Sequence, residues 1–418
     1  MQLPLGDGTV AFELPDCDVS VAEPPGGDAV DVREAATRAM ARPNGPALST
    51  RPSPDDEVAI VVTDVTRATP DEVLVDVLLD NLSAAGVTRD QVTIVVGLGL
   101  HRPLSEDEMA DLLGEHADLA VNHDVDDALG VGKMDTAPGE PEYDEQVSLE
   151  VNEAITSADF VASTGMVEPH QYAGFSGGAK TVVIGAGGEP LVRYTHGPTM
   201  LGRDGVRLGR IEGNPFRELI DRAGDLVGPD FCLNVTHTPA GILDAAAGNH
   251  RAVVHELASR AREALSVPVA EEYDAVIAGV GAPKDANLYQ ASRAATYVAL
   301  GDRNPLKPGG RVVVPAELPE GAGRGTGEKR FHRRLRGADD AASLYEVMLQ
   351  GYEPGAQRAF VTARVLRDHD VYVTNSRHPE VVEECLMHAR DYVAEAVEPG
   401  SDVLVVPDAL NTLLVEPE

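Results

Sequence analysis

The sequence predicts an α/β protein made of two α/β domains with mainly parallel sheets. Three observations lead there. Apolar β-rich runs alternate with helical ones along most of the chain. The first of these runs, "EVAIVVTD" (57–64), is apolar on both faces, as a buried parallel strand is. A length of 418 residues exceeds what one ordinary core holds.

The elements follow in order. The strand at 57–64 leads into a helix over 71–86, "DEVLVDVLLDNLSAAG", which Pro70 opens. A second strand at 91–99 leads into a helix over 105–116, where Ser105 and Glu108 stand at capping-box spacing. "NHDVDD" (122–127) lacks the calcium-loop pattern and reads as a solvated capping turn. A strand is expected at 159–167, with helices at 214–228 and 249–265.

A fresh strand, "YDAVIAGVG" (273–281), begins a second βα series that includes "GGRVVVPAE" and "HDVYVTN". The first domain is therefore placed at 1–268 and the second at 269–399, with 400–418 forming a last strand that packs back onto the first domain. "LPEGAGRGTGEKRFHRRLRG" reads as a surface loop entering a helix, a lid rather than a nucleic-acid contact, because aromatic residues are only 4%.

Composition narrows the function class. The net charge of -35 is carried against only five lysines: Lys133, Lys180, Lys284, Lys307 and Lys329. A dispersed carboxylate excess of this kind is solvated and screened in concentrated salt, and it argues against nucleic acid or anionic membrane as a ligand. Cys17, Cys232 and Cys385 are far apart and suggest neither a disulfide framework nor a thiolate zinc site. No apolar run is long enough for a membrane helix and the opening residues lack a signal-peptide pattern, so a cytoplasmic protein is expected.

The chemistry concentrates around "PHQYAGFSGGAKT" (169–181). Gly174 and Lys180-Thr181 match the ends of a phosphate-binding P-loop, but Ala179 replaces the required second glycine and "TVVIGAGG" is a poor helix start. Gly174, Gly177 and Gly178 still permit close backbone approach to a ligand, and Ser176 supplies a hydroxyl; a tight surface turn is the competing reading. His101 closes a predicted strand, while His170 and His196 flank the glycine loop. Asp64 and Arg67 sit at another strand end, where α/β sheets bind ligands, and arginine grips carboxylates bidentately.

Taken together, "TDVTRATP", "GLHRP", "EPHQYAGFSGGAK", "YTHGPTM" and "LYQASR" resemble, in order and over nearly the whole chain, the nickel-dependent lactate racemase family. The acidic surface makes the chain similar to a salt-adapted, haloarchaeal-type member. The resemblance implies a 2-hydroxyacid racemase or epimerase with its active site in the inter-domain cleft. It also implies a nickel pincer nucleotide, Ni(II)-pyridinium-3,5-bisthiocarboxylate mononucleotide, attached covalently to Lys180.

It further implies His196 as nickel ligand and His101 and His170 as paired acid/bases. Asp64, Arg67 and the glycine loop (Gly174, Ser176, Gly177, Gly178) would contact the cofactor, and Arg67, Tyr289, Gln290 and Arg293 the substrate. Hydride transfer to the cofactor avoids a carbanion next to a carboxylate. Cofactor-synthesis proteins are the implied partners. Arg293 stands where characterised lactate enzymes carry lysine, so a sugar acid or dicarboxylic hydroxyacid competes with lactate. A non-catalytic nucleotide- or anion-binding protein is the alternative from another class.

Overall fold

The computed structural model describes residues 1–417. It divides into two compact units: Gly26–Thr195 with Arg210–Ala264, and Met1–Pro25 with His196–Gly209 and the chain from Leu265 onward. Each is built on a six-stranded sheet.

In the first unit the strand order is Gly241–Gly248, Phe231–Thr238, Phe160–Met166, Val58–Val62, Val92–Val96, Ala120–Asn122. All neighbours are parallel except the Phe231–Thr238 and Gly241–Gly248 pair. Val58–Val62 is buried at every position, and helix Asp71–Ala85 puts Leu74, Val75 and Leu78 into the same core. The capping box of Ser105 and Glu108 forms at helix Glu106–Leu113, and Asp124 caps a short turn at Val125–Asp127, both as expected.

After Val58–Val62 the chain runs outward on one side to Val92–Val96 and Ala120–Asn122, then returns to the other side at Phe160–Met166. The order reverses beside Val58–Val62, and such a switch point opens a crevice at the C-terminal strand ends.

The second unit's sheet has the order His388–Arg390, Asp370–Thr374, Leu306–Pro315, Tyr273–Ala278, Asp402–Val406, Asp18–Val21, all parallel. The observed partition differs here from the expected one. Residues 1–25 and 196–209 belong with this sheet, and Asp402–Val406 lies inside it instead of returning to the first domain. The physical reason is that "VLVV" is buried throughout and needs ladder partners on both sides, which Tyr273–Ala278 and Asp18–Val21 provide.

Helix Thr326–Arg336 follows the Gly/Arg-rich loop. Much of its positive charge is paired within the chain, Arg330 and Arg333 with Glu353 and Arg336 with Glu384. Among the described residues no helix is long and apolar enough to cross a membrane.

Candidate active site

The switch-point crevice of the first unit gathers most of the predicted residues. Asp64 and Arg67 follow Val58–Val62, His101 follows Val92–Val96, and Glu168 and His170 follow Phe160–Met166. Asp64 is 5% exposed and its Oδ2 lies 2.6 Å from His101 Nδ1. Burial works to raise the Asp64 carboxyl, but hydrogen bonds from His101 and Thr66 outweigh it and hold the group below its ordinary range. An ionised Asp64 requires His101 Nδ1 to donate, and in the neutral ring Nε2 is then the acceptor.

His170 is held the opposite way. Its Nδ1 accepts the backbone N–H groups of Tyr172 at 3.2 Å and Ala173 at 3.1 Å, and the ring packs edge-on against Tyr172. A neutral ring so fixed carries its proton on Nε2. One histidine thus presents an acceptor and the other a donor.

Beneath Asp64, Asp71 opens its helix 1% exposed and receives the Thr63 hydroxyl at 2.7 Å and the Thr164 hydroxyl. Burial pushes its carboxyl up to about 7 against those two donors, and the Asp64 charge adds to the rise.

The glycine loop is braced from within. Gly174 has φ +73° and an added Cβ would meet Arg210 O at 1.7 Å; at Gly178, φ +60°, it would meet Val254 Cγ2 at 2.7 Å. These glycines are required by the protein's own packing. The Gly178 N–H donates to Asn234 Oδ1 at 2.7 Å, and the Ser176 N–H to Glu168 O at 2.9 Å. The Ser176 hydroxyl donates to Met166 O at 2.6 Å. The Ser176 and Gly178 N–H groups are thereby committed within the protein and not offered to a phosphate, which argues against the P-loop reading. The residues after Lys180 were read as a poor helix start; they form one wide π-helical turn, Thr181–Gly185, whose β-branched side chains are buried.

Lys180 stands at the head of that turn, half-buried. Burial pushes its ammonium down to about 7, the guanidiniums of Arg67 and Arg217 act in the same direction, and the Glu168 and Asp64 carboxylates oppose them. Arg217 was missed by sequence reasoning. It is 1% exposed, pairs with Asp221 at 2.9 Å and donates to Phe175 O and Gly177 O, so one side chain ties helix Pro215–Val227 to the loop. The signal available for it was an i, i+4 Arg–Asp pair beside the apolar Phe216, Leu219 and Ile220.

The remaining candidates belong to the other unit. His196 begins its segment His196–Gly209. Tyr289 and Gln290 lie on the short helix Leu288–Ala291, capped by Asn287, whose Oδ1 accepts the Gln290 N–H at 3.0 Å. Arg358 stacks 4.3 Å over the Tyr289 ring, and Gln290 Oε1 is buried without a hydrogen-bond partner among the described residues. Arg293 donates to the Tyr297 hydroxyl at 2.9 Å.

The chain is similar to known proteins along its whole length. Residues 5–209 match the lactate racemase N-terminal domain. The chain is 26% identical over 438 aligned residues to a lactate racemase of Thermoanaerobacterium thermosaccharolyticum, covering 100% of this chain and 99% of that one. It is 25% identical to a lactate racemase of Lactiplantibacillus plantarum, over 85% and 84% of the two chains. The lactate racemase apoprotein structure from T. thermosaccharolyticum superposes with a TM-score of 0.84 at 24% identity, covering 99% of both chains, which shows a shared fold. The chain belongs to the lactate racemase family.

Proposed function

We propose that the protein interconverts the stereoisomers of a small 2-hydroxycarboxylate, as a lactate racemase-like isomerase using the family's nickel cofactor in its pincer-nucleotide form. The observation that carries this reading is Lys180. An amine that joins a thiocarbonyl carbon must be unprotonated, and a lysine brought down to about 7 by burial and two guanidiniums meets that need near neutral pH. The Lys180 tether fits the residues present, and His196 is the proposed nickel ligand, an imidazole beside soft donors. Held there, the cofactor would supply a hydride acceptor for the substrate carbon.

The chain's own residues do the rest. His101, oriented by Asp64, takes the substrate hydroxyl proton at Nε2. His170 presents its Nε2–H to the substrate oxygen and stabilises charge there. The opposite stereoisomer uses the two groups in exchanged roles, so His170 must give up its backbone contacts to accept a proton. Arg67 holds the substrate carboxylate. Asp64 and the braced loop of Gly174, Ser176, Gly177 and Gly178 support the cofactor. Tyr289, Gln290 and Arg293 are proposed substrate contacts on the strength of the resemblance. A binding protein would need neither the Asp64–His101 pair nor a depressed amine.

One observation favours a second substrate class. Arg293 presents a planar guanidinium, stacked on Tyr297 at 5.4 Å, where a lysine point charge is usual in the characterised lactate enzymes. That suits a second carboxylate or a sugar-acid hydroxyl. The test is protein produced beside cofactor-synthesis proteins and assayed on single-enantiomer 2-hydroxyacids, with intact mass and nickel content measured. A Lys180 adduct, stoichiometric nickel and a fall in kcat of about 100-fold or more in Asp64→Asn are expected, because the amide no longer fixes the His101 tautomer. Unmodified protein whose racemase activity persists in Lys180→Ala would overturn the reading.

A further inference from the structure

Glu168 precedes His170 and has no role in the proposal above. Its carboxylate bridges two side chains: Oε1 pairs with Arg67 Nη1, and Oε2 lies 3.2 Å from His237 Nε2. The three residues come from the C-terminal ends of three different strands, Val58–Val62, Phe160–Met166 and Phe231–Thr238. The backbone of Glu168 is fixed too, because its N–H donates to Ser176 Oγ at 3.0 Å and its carbonyl accepts the Ser176 N–H at 2.9 Å. The antiparallel register on the other side of Phe231–Thr238 slips by one residue between Thr236 and His237, the kind of irregularity that re-aims a side chain.

We propose that Glu168 and His237 are positioning residues that hold the Arg67 guanidinium open for the substrate carboxylate. The inference rests on the reading of Arg67 as the carboxylate clamp. A carboxylate meets a guanidinium most favourably edge-on, with two parallel hydrogen bonds. Glu168 is the nearest internal candidate for that bond and would compete with the substrate for it. With Oε2 committed to His237, Glu168 engages Arg67 through Oε1 and is kept from turning both oxygens onto the fork. Hydrogen bonding to Glu168 raises the His237 imidazole above its ordinary value and outweighs its burial.

The test compares the cofactor-loaded wild type with His237→Leu and His237→Gln, the amide being able to donate from a similar place. His237→Leu should raise KM for a 2-hydroxycarboxylate about fivefold to tenfold, as expected for losing one partly exposed charge-assisted bond. Its kcat should change less than about twofold, with the Lys180 adduct mass, nickel content and unfolding midpoint unchanged, and His237→Gln should restore KM. A KM within twofold of wild type in His237→Leu, or a raised KM that His237→Gln leaves raised, overturns the proposal. If the wild type racemises nothing, the functional reading fails by itself. The positioning claim is then decided by hydrogen exchange at Arg67 Nε–H, which must slow in His237→Leu, as Glu168 closes on the fork, and quicken again in His237→Gln; equal exchange in all three proteins sinks it.

Discussion

Replacing Lys180 with methionine should make the cofactor-free protein more stable while abolishing attachment. A lysine held at about 7 instead of its ordinary 10.4 disfavours folding by up to about 5 kcal/mol at neutral pH, at 1.36 kcal/mol for each tenfold change in proton affinity. Lys180 is half-buried, so water recovers part of this and about 2–3 kcal/mol is the reasonable expectation. The pH dependence has a definite sign. Between about 7 and 10.4 the unfolded chain binds the proton that the folded chain releases, so wild-type stability climbs with pH across that window. Lys180→Met lacks the group and does not follow. Urea unfolding of the two apoproteins at one fixed potassium chloride concentration should show the variant ahead by its full margin at pH 7, with the margin closing toward pH 10. A margin independent of pH, or a variant less stable throughout, would refute the electrostatic account of Lys180.

Two further outcomes follow from the same physics. Asp71 is an acid raised to about 7, so the folded protein takes up a proton that the unfolded chain releases between about pH 4 and 7, and wild-type stability declines across that range. Asp71→Asn should gain about 1–2 kcal/mol over wild type at pH 8 and nothing at pH 4 by denaturant titration; a loss at pH 8 would show that the Thr63 and Thr164 bonds need the carboxylate itself. The net charge of -35 predicts that raising potassium chloride from 0.1 to 2 M lifts the apoprotein Tm by about 10 °C or more as repulsion is screened, and a flat or falling Tm would refute it.

Much of the first unit's sheet was legible because buried parallel strands are continuous apolar runs, and the observed Val58–Val62, Val92–Val96 and Phe160–Met166 lie inside the expected segments. Segments without that signal were not legible. Asp18–Val21 has no fully buried residue and is a strand only because Asp402–Val406 offers it a ladder. The hairpin of Leu129–Asp135 and Gln146–Val151 has one arm exposed at nearly every position, so its sequence carries almost no alternation to read. The domain partition failed for a related reason: contacts made by residues 1–25 and 196–209 are long-range, and a linear boundary cannot express them.

The candidate site divides along the same line. Asp64, His101, His170 and Lys180 stand in quotable motifs at strand ends, so their chemistry could be argued from residue type and place. Glu168 and His237 could not, since each alone is an ordinary polar residue. Their meeting depends on register. Phe160–Met166 and Phe231–Thr238 pair so that Met166 faces Val235, and Glu168 and His237 each lie two residues beyond that pair, at the same level of the sheet. A shift of one residue in that pairing would exchange the faces of the two strands and separate the groups. Their separation by 69 positions in the sequence leaves no local trace of the contact. What sets Arg67 in this protein is therefore a property of strand registration, and the His237 variants test registration and binding together.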